Sequence, residues 1–315
     1  MRKKISLIGA GNIGGTLAHL IALKELADIN LIDVVKGVPQ GKALDLSQSS
    51  SVELFDVNIQ GSNNYKTLIN SDVVIITAGI PRLPGMTRDD LLETNTKIIS
   101  SIGREIKKYC PKAFLICITN PLDAMVSVLQ SSSKVRHSMC VGMAGILDSS
   151  RMKYFLAQEL KVSIKNIETF VLGGHGDTMV PMLRYTTVSG VSVQELINNK
   201  TLSKKKLNAI TKRTQDGGGE INRLLKKGSA FYAPASSAVQ MAESYLKDKK
   251  MILPCAAYLD GEYGVKGLYV GVPVVIGKKG VEKIIKLNLN TQEKKLFNKS
   301  VSSVKKLTNL ASKLI

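Results

Sequence analysis

The sequence predicts an α/β chain in which an N-terminal, doubly wound parallel sheet precedes a C-terminal half of mixed α+β character. Three observations carry that prediction. Short, continuous apolar runs alternate with helical patterns through the first half, as strands buried on both faces require. A glycine-rich turn joins the first of these runs to the first helix. Beyond about residue 150 the pattern changes to longer helices mixed with strand pairs. At 315 residues and 44% hydrophobic, the chain buries a full core, and the pattern divides it into two packed domains, 1–145 and 146–315.

Taken in order, residues 4–8 are an apolar run, and Gly9-Ala10-Gly11-Asn12-Ile13-Gly14 follows before a helical pattern begins at Thr16. A lone G-x-G-x-x-G is weak evidence. Here it has a strand before it, a helix after it, and Asp33 closing a second apolar run at residues 28–33, which is the context that gives the motif meaning. The glycines let backbone N–H groups approach a pyrophosphate at the positive end of the helix. Asp33 is positioned to accept hydrogen bonds from both adenosine ribose hydroxyls, and its charge repels a 2′-phosphate, so NAD is favoured over NADP. The first half is predicted to be a Rossmann domain.

Residues 56–60 and 72–78 read as further strands with a short helix between them. Residues 91–109 read as a long amphipathic helix and 113–118 as the next strand. Ligands of such sheets sit at the carboxyl ends of the strands. Two segments fall there: Gly79-Ile-Pro-Arg82-Leu83-Pro-Gly-Met-Thr-Arg88, and Thr119-Asn120-Pro121-Leu122-Asp123. The first reads either as a surface turn or as a flap that carries two guanidinium groups to an anionic ligand. In the second half, residues 204–227 read as one long helix interrupted by Gly217-Gly-Gly219. Residues 251–258 and 268–276 read as an antiparallel pair, and 290–315 as an amphipathic helix.

Composition excludes several classes. No apolar run reaches membrane-spanning length. The basic N-terminus is followed by glycines, not by a small-residue cleavage site, which argues for a strand over a signal peptide. Cys110, Cys117, Cys140 and Cys255 show no metal or redox spacing, and they read as buried thiols in a reducing cytoplasm with no metal site. The formal charge is 44 − 25 = +19. The lysines are dispersed, aromatics are 5% and Trp is absent, so a solvated lysine surface is favoured over a nucleic-acid platform.

Three histidines leave few candidates for proton transfer. His19 lies within the first helical pattern, and His137 reads as a surface residue before a strand. His175 stands in Leu172-Gly-Gly-His-Gly-Asp177, after a strand read at residues 168–172, where flanking glycines suit either close approach of a ligand or a structural turn. Asp148 and Arg151, one helical turn apart, share a face. They form either a simple helix ion pair or a carboxylate aimed at His175 beside a guanidinium aimed at a ligand.

Together, Gly9-x-Gly11-x-x-Gly14, Asp33, Pro81-Arg82…Arg88, Thr119-Asn120-Pro121, Leu147-Asp148-x-x-Arg151 and Gly174-His175-Gly176-Asp177 resemble the lactate/malate dehydrogenase family in order and spacing, over residues 4 to about 245. The likeness is nearest to the bacterial, lactate-dehydrogenase-like malate enzymes. It implies NAD-dependent, reversible oxidation of a 2-hydroxy acid with His175 as proton acceptor and donor and Asp148 as its orienting carboxylate. It implies Arg151 on the C1 carboxylate, Arg88 and Asn120 at the C2 oxygen, and Asn95 with Ile118, Thr119 and Asn120 beside the cofactor. Arg82 is implied to read the second carboxylate of malate or oxaloacetate, where lactate enzymes carry a neutral residue; lactate or another 2-hydroxy acid is the alternative substrate. The chain departs from the family at Leu83, where malate enzymes commonly carry a basic residue. The resemblance also implies that Gly217 to Gly219 allow close passage of a helix beside the site, that Ala230 and Pro234 wall the pocket, and that the assembly is a homodimer or homotetramer.

Overall fold

The apolar runs of the first half pair in parallel. The computed structural model describes residues 2–81 and 87–315, with only the main chain of Arg88. In it β1 (Lys4–Ile8), β2 (Asp28–Ile32), β3 (Ile59–Ser62), β4 (Val73–Ile76), β5 (Phe114–Cys117) and β6 (Cys140–Gly142) lie in the order β3-β2-β1-β4-β5-β6. Every neighbouring pair among them is parallel, the arrangement of a doubly wound dinucleotide fold. Helices α1 (Asn12–Leu23), α2 (Val38–Glu53), α3 (Arg88–Tyr109) and α4 (Leu122–Ser133) provide the crossovers.

Successive strand residues point to opposite faces, and both faces are covered. Ile5, Leu7, Ile29, Leu31, Val73 and Ile75 join one core with α1. Ile8, Ile32, Val74, Ile76, Leu115 and Cys117 join the other with α3 and α4. All are at most 2% exposed, and burial of each large aliphatic side chain contributes about 1.5–3 kcal/mol.

The second half begins with α5 (Gly145–Leu160), followed by five short strands: β7 (Ile167–Glu168), β8 (Val171–Leu172), β9 (Val180–Pro181), β10 (Thr187–Val188) and β11 (Val191–Ser192). Helices α6 (Val193–Asn198), α7 (Lys204–Gln215), α8 (Gly217–Leu225) and α9 (Tyr232–Leu246) come next, then β12 (Met251–Asp260), β13 (Lys266–Gly277), β14 (Gly280–Ile284) and α10 (Thr291–Ser312). The last three strands are antiparallel, and β12 pairs with β6 at Ala256 and Gly142, so the two halves share one nine-stranded sheet. α9 packs on α1 and α10 on α4, closing opposite faces.

The structure differs from the sequence reading at several places, four of them informative. Helix α2 has no counterpart there, because its Gly- and Ser-containing sequence buries only Pro39 and Ala43 and shows no apolar stripe. The strand placed at 56–60 begins three residues later, at Ile59, where pairing with Ile29 starts. The run Glu168 to Leu172 splits, since Glu168 pairs with Thr187 while Val171 pairs with Pro181 in a different sheet. The single helix placed at 204–227 breaks at Asp216 into α7 and α8. Ion pairs Arg213–Glu220 and Arg223–Asp216 span that break.

α10 is tied down at its start. Glu293 and Asn290 form a reciprocal capping box, and the Glu293 carboxylate also accepts two bonds from Arg184, at 2.9 and 2.8 Å. The Arg184 hydrogen bond holds the Glu293 carboxyl below the usual glutamate range, against the opposing effect of burial. Its contribution to stability is therefore present above the unfolded-state pKa and lost as pH falls through the lower folded value. We predict that Glu293→Ala destabilises the protein by about 1–2 kcal/mol at neutral pH, as loss of a helix cap does. In urea unfolding, the gap from wild type narrows once pH drops below the ordinary glutamate range; a gap that is independent of pH contradicts the assignment.

Candidate active site

The glycine turn illustrates two different requirements. Gly9 has φ +110°, and a Cβ at Gly14 would lie 1.9 Å from the Gly9 carbonyl oxygen; both glycines are needed for the turn itself. Gly11 is different: a Cβ there would meet nothing within 4 Å. It is the N-cap of α1 and supplies no side-chain cap, so first-turn N–H groups face an open space in front of the helix. That combination, an uncapped positive helix end and a cradle that a Cβ would fill, fits a pyrophosphate. At the end of β2, Asp33 accepts from the Ala10 N–H at 2.7 Å and the Val35 N–H at 3.0 Å, which fixes its carboxylate beside the turn. Asn12 and the half-buried Ile13 open α1. Lys42 of α2 donates to the Gly11 carbonyl at 3.0 Å; the sequence reading missed this contact because α2 itself was not foreseen.

The facing wall comes from the ends of β4 and β5. Ile118 and Thr119 are buried and Asn120 is exposed; the Thr119 hydroxyl donates to the Ala78 carbonyl at 2.6 Å. Asn95 is fully buried, and its amide is spent on main chain. It accepts from Ile80 N–H at 2.9 Å and donates to the carbonyls of Ile80 at 3.2 Å and Asn120 at 2.7 Å. Asn95 thus joins the root of the segment after β4 to the loop after β5, and it bears on the crevice through the backbone it holds. Arg82 and Leu83 lie outside the described residues, as does the side chain of Arg88 at the start of α3.

α5 and the loop after β8 bring together the residues expected to act in acid–base chemistry. Asp148 lies in the first turn of α5 with its side chain 2% exposed. One carboxylate oxygen meets His175 Nδ1 at 2.8 Å, and the other accepts from Arg151 Nη1 at 3.0 Å. The pair is therefore a helix ion pair whose carboxylate also reaches the histidine. With Asp148 ionised, Nδ1 carries the proton and Nε2 is left as the acid–base atom. Burial pulls the His175 pKa down, but the charge and hydrogen bond of Asp148, reinforced by Asp123, outweigh that and the opposing charge of Arg151, so the net shift is upward. Arg151 is roofed by the α7–α8 joint, where a Cβ on Gly217 would lie 2.6 Å from Arg151 Cδ.

Two residues that hold this loop were not foreseen in the sequence. Asp123, in the first turn of α4, accepts from the His175 main-chain N–H at 2.9 Å. Ser300, buried on α10, accepts from Gly174 N–H at 2.8 Å. A first-turn aspartate reads as an ordinary helix-end residue, and a serine 126 positions away from Gly174 carries no local signal at all. Pro234 is buried in the first turn of α9, with Ala230 half-buried just before that helix.

Residues 3–142 match the lactate/malate dehydrogenase NAD-binding domain, and residues 146–314 match the lactate/malate dehydrogenase alpha/beta C-terminal domain. The chain is similar to the crystal structure of Cryptosporidium parvum malate dehydrogenase, at 50% identity and TM-score 0.97 over 99% of this chain and 100% of that one. It is equally similar to lactate dehydrogenase from Eimeria maxima with NADH and oxamate, at 50% identity and TM-score 0.97 over 100% and 95% of the two chains. Malate dehydrogenase from Plasmodium falciparum in complex with NADH matches at 40% identity and TM-score 0.94 over 99% and 100%.

The two kinds of glycine separate experimentally. Gly11→Ala is predicted to leave thermal stability near wild type while weakening NADH about tenfold or more, equivalent to roughly 1.4 kcal/mol. Gly14→Ala is predicted to destabilise the fold by about 1–3 kcal/mol through overpacking. Unchanged NADH affinity by fluorescence titration in Gly11→Ala would remove the turn from the cofactor site.

Proposed function

The chain belongs to the lactate/malate dehydrogenase family, whose N-terminal domain binds NAD, and from that membership we propose that it is a malate dehydrogenase interconverting (S)-malate and oxaloacetate. The observation that carries the chemistry is Asp148 held between His175 and Arg151; the residue that carries the substrate choice is Arg82.

When bound, the nicotinamide exchanges a hydride with C2 of the substrate. His175 handles the matching proton: Nε2 removes it from the 2-hydroxyl in oxidation and returns it to the 2-oxo oxygen in reduction. Asp148 holds the ring in the required tautomer and stabilises the imidazolium. Arg151 keeps one nitrogen on Asp148, and its other nitrogens have no side-chain partner among the described residues. They are suited to the C1 carboxylate through parallel N–H···O bonds, which a lysine cannot supply. Arg88 and Asn120 act on the C2 oxygen, where charge develops. A second substrate carboxylate enclosed by the Gly79-to-Arg88 segment needs a counter-charge, and Arg82 supplies it; a methyl-ended substrate leaves that arginine unpaired.

A lactate dehydrogenase is the second reading, favoured by the 50% identity to the Eimeria enzyme. Steady-state rates on oxaloacetate and pyruvate with NADH decide between them, and the proposal expects discrimination of roughly 10³-fold for oxaloacetate; faster turnover of pyruvate overturns it. Arg82→Gln is expected to lose activity on oxaloacetate and gain some on pyruvate, and an unchanged ratio counts against the role of Arg82. His175→Asn is expected to lower kcat by roughly 10²–10⁴-fold with NADH affinity intact. Because the His175 pKa lies above its ordinary value, reduction, which uses the imidazolium, persists above the ordinary histidine range and declines as pH rises through that higher value. We take the assembly to be a homodimer or homotetramer, which sedimentation measures directly.

A further inference from the structure

Asp123 is a carboxylate that the chemistry above does not use, yet it is 5% exposed and bonded to the acid–base residue. One of its oxygens accepts from the His175 main chain, and the other, Oδ1, is buried with no hydrogen-bond partner among the described residues. An asparagine of the same size would supply the acceptor for His175 N–H without an anionic orphan. Leaving a buried charged oxygen unpaired is costly, and a protonated carboxyl would leave a hydroxyl unmatched instead. The remaining reason for an aspartate here is its charge.

We propose that Asp123 is a positioning residue for proton transfer: it seats the His175 main chain and lends the imidazolium a second negative charge beyond that of Asp148. The inference rests on His175 as the acid–base group. The charged groups facing His175 among the described residues are Asp148 and Arg151 from α5 and Asp123 from α4. α10 contributes only the Ser300 hydroxyl, and β13 the main chain of Gly271, which pairs with Gly173. The neighbouring Cys117 thiol on β5 stays neutral, burial having pushed it up to about 12. Desolvation also pushes Asp123 itself up to about 6, partly offset by the His175 N–H and ring, as a carboxylate sharing a buried site with Asp148 should be.

The test compares wild type, Asp123→Asn and Ser300→Ala in the full chain. Asparagine keeps the acceptor and removes the charge; Ser300→Ala loosens the same loop without touching charge. With histidine-labelled protein, which has three histidine resonances, the His175 titration is expected to move to lower pH in Asp123→Asn and to stay in place in Ser300→Ala. On whichever 2-oxo acid is turned over, reduction at pH 8 falls roughly 3- to 10-fold in Asp123→Asn, while oxidation at pH 6 is maintained or raised, because the imidazolium is disfavoured. Equal losses in both directions with an unmoved His175 titration mean a purely structural residue and overturn the proposal. Should Asp123→Asn not fold, wild type suffices: the Asp123 13Cγ signal is expected to titrate at about 6, with the His175 amide nitrogen following it, and an amide that ignores that transition is equally fatal. The titrations need no substrate, so a protein that prefers pyruvate refutes the malate reading and leaves this inference standing on its own evidence.

Discussion

The site depends on one buried carboxylate. Asp148 is almost completely removed from water, and a lone anion there would cost several kcal/mol. Both its oxygens are matched, one by the His175 ring and one by Arg151. Because Asp148 and Arg151 are three residues apart on α5, one helical turn fixes the separation between the two groups we propose for proton transfer and anion binding. A 2-hydroxy acid has its reacting oxygen and its C1 carboxylate on adjacent carbons, so a rigid one-turn ruler suits it, and positioning of this kind supplies much of a catalytic advantage. The ruler is braced from outside: the α7–α8 joint passes so close to Arg151 that a Cβ at position 217 would press on its Cδ at 2.6 Å.

What the sequence revealed follows from how local each signal is. β1, β4 and β5 are buried on both faces, so they announce themselves as unbroken apolar runs, and the glycine turn is read from three positions within six residues. α2 was invisible because it lies on the outside of the sheet and buries almost nothing, which leaves no period to detect. The 168–172 run looked like one strand because no glycine or proline marks a break within it; only its partners, Thr187 and Pro181, divide it. In the site, His175, Asp148 and Arg151 stood out by glycine context and helical spacing, but roles for them came only with the family resemblance. Asp123 and Ser300 were not, since their meaning lies in main-chain contacts 52 and 126 residues away.

The histidine loop is gripped by elements from both halves of the chain: α4 through Asp123, α10 through Ser300 and β13 through Gly271. The shared sheet makes this possible. Pairing of β12 with β6 sets the C-terminal hairpin in register with the Rossmann strands, and α5, which leaves directly from the end of β6, is anchored at the same junction. The cofactor turn at the start of α1 and the acid–base loop after β8 are therefore referred to one rigid frame, although more than 160 residues separate Gly11 from His175.

The charge of the site also has a logic separate from the +19 carried by the whole chain. That surplus sits on dispersed, solvated lysines and acts mainly by drawing small anions toward the surface at low salt. Inside, Asp148 and Asp123 stand against Arg151 and a histidine of variable charge. An anionic substrate adds negative charge to this set, and with Asp148 and Asp123 already present the imidazolium is the form that balances it. In the proposed chemistry, reduction starts from that form. Oxidation must instead begin with neutral His175 and generate the imidazolium while the 2-oxo product forms. The same carboxylates thus raise the affinity of His175 for the proton it receives in oxidation and hold back the proton it gives in reduction. A site serving both directions needs that pull to be moderate, and Arg151, whose charge opposes it on the far side of Asp148, provides the counterweight.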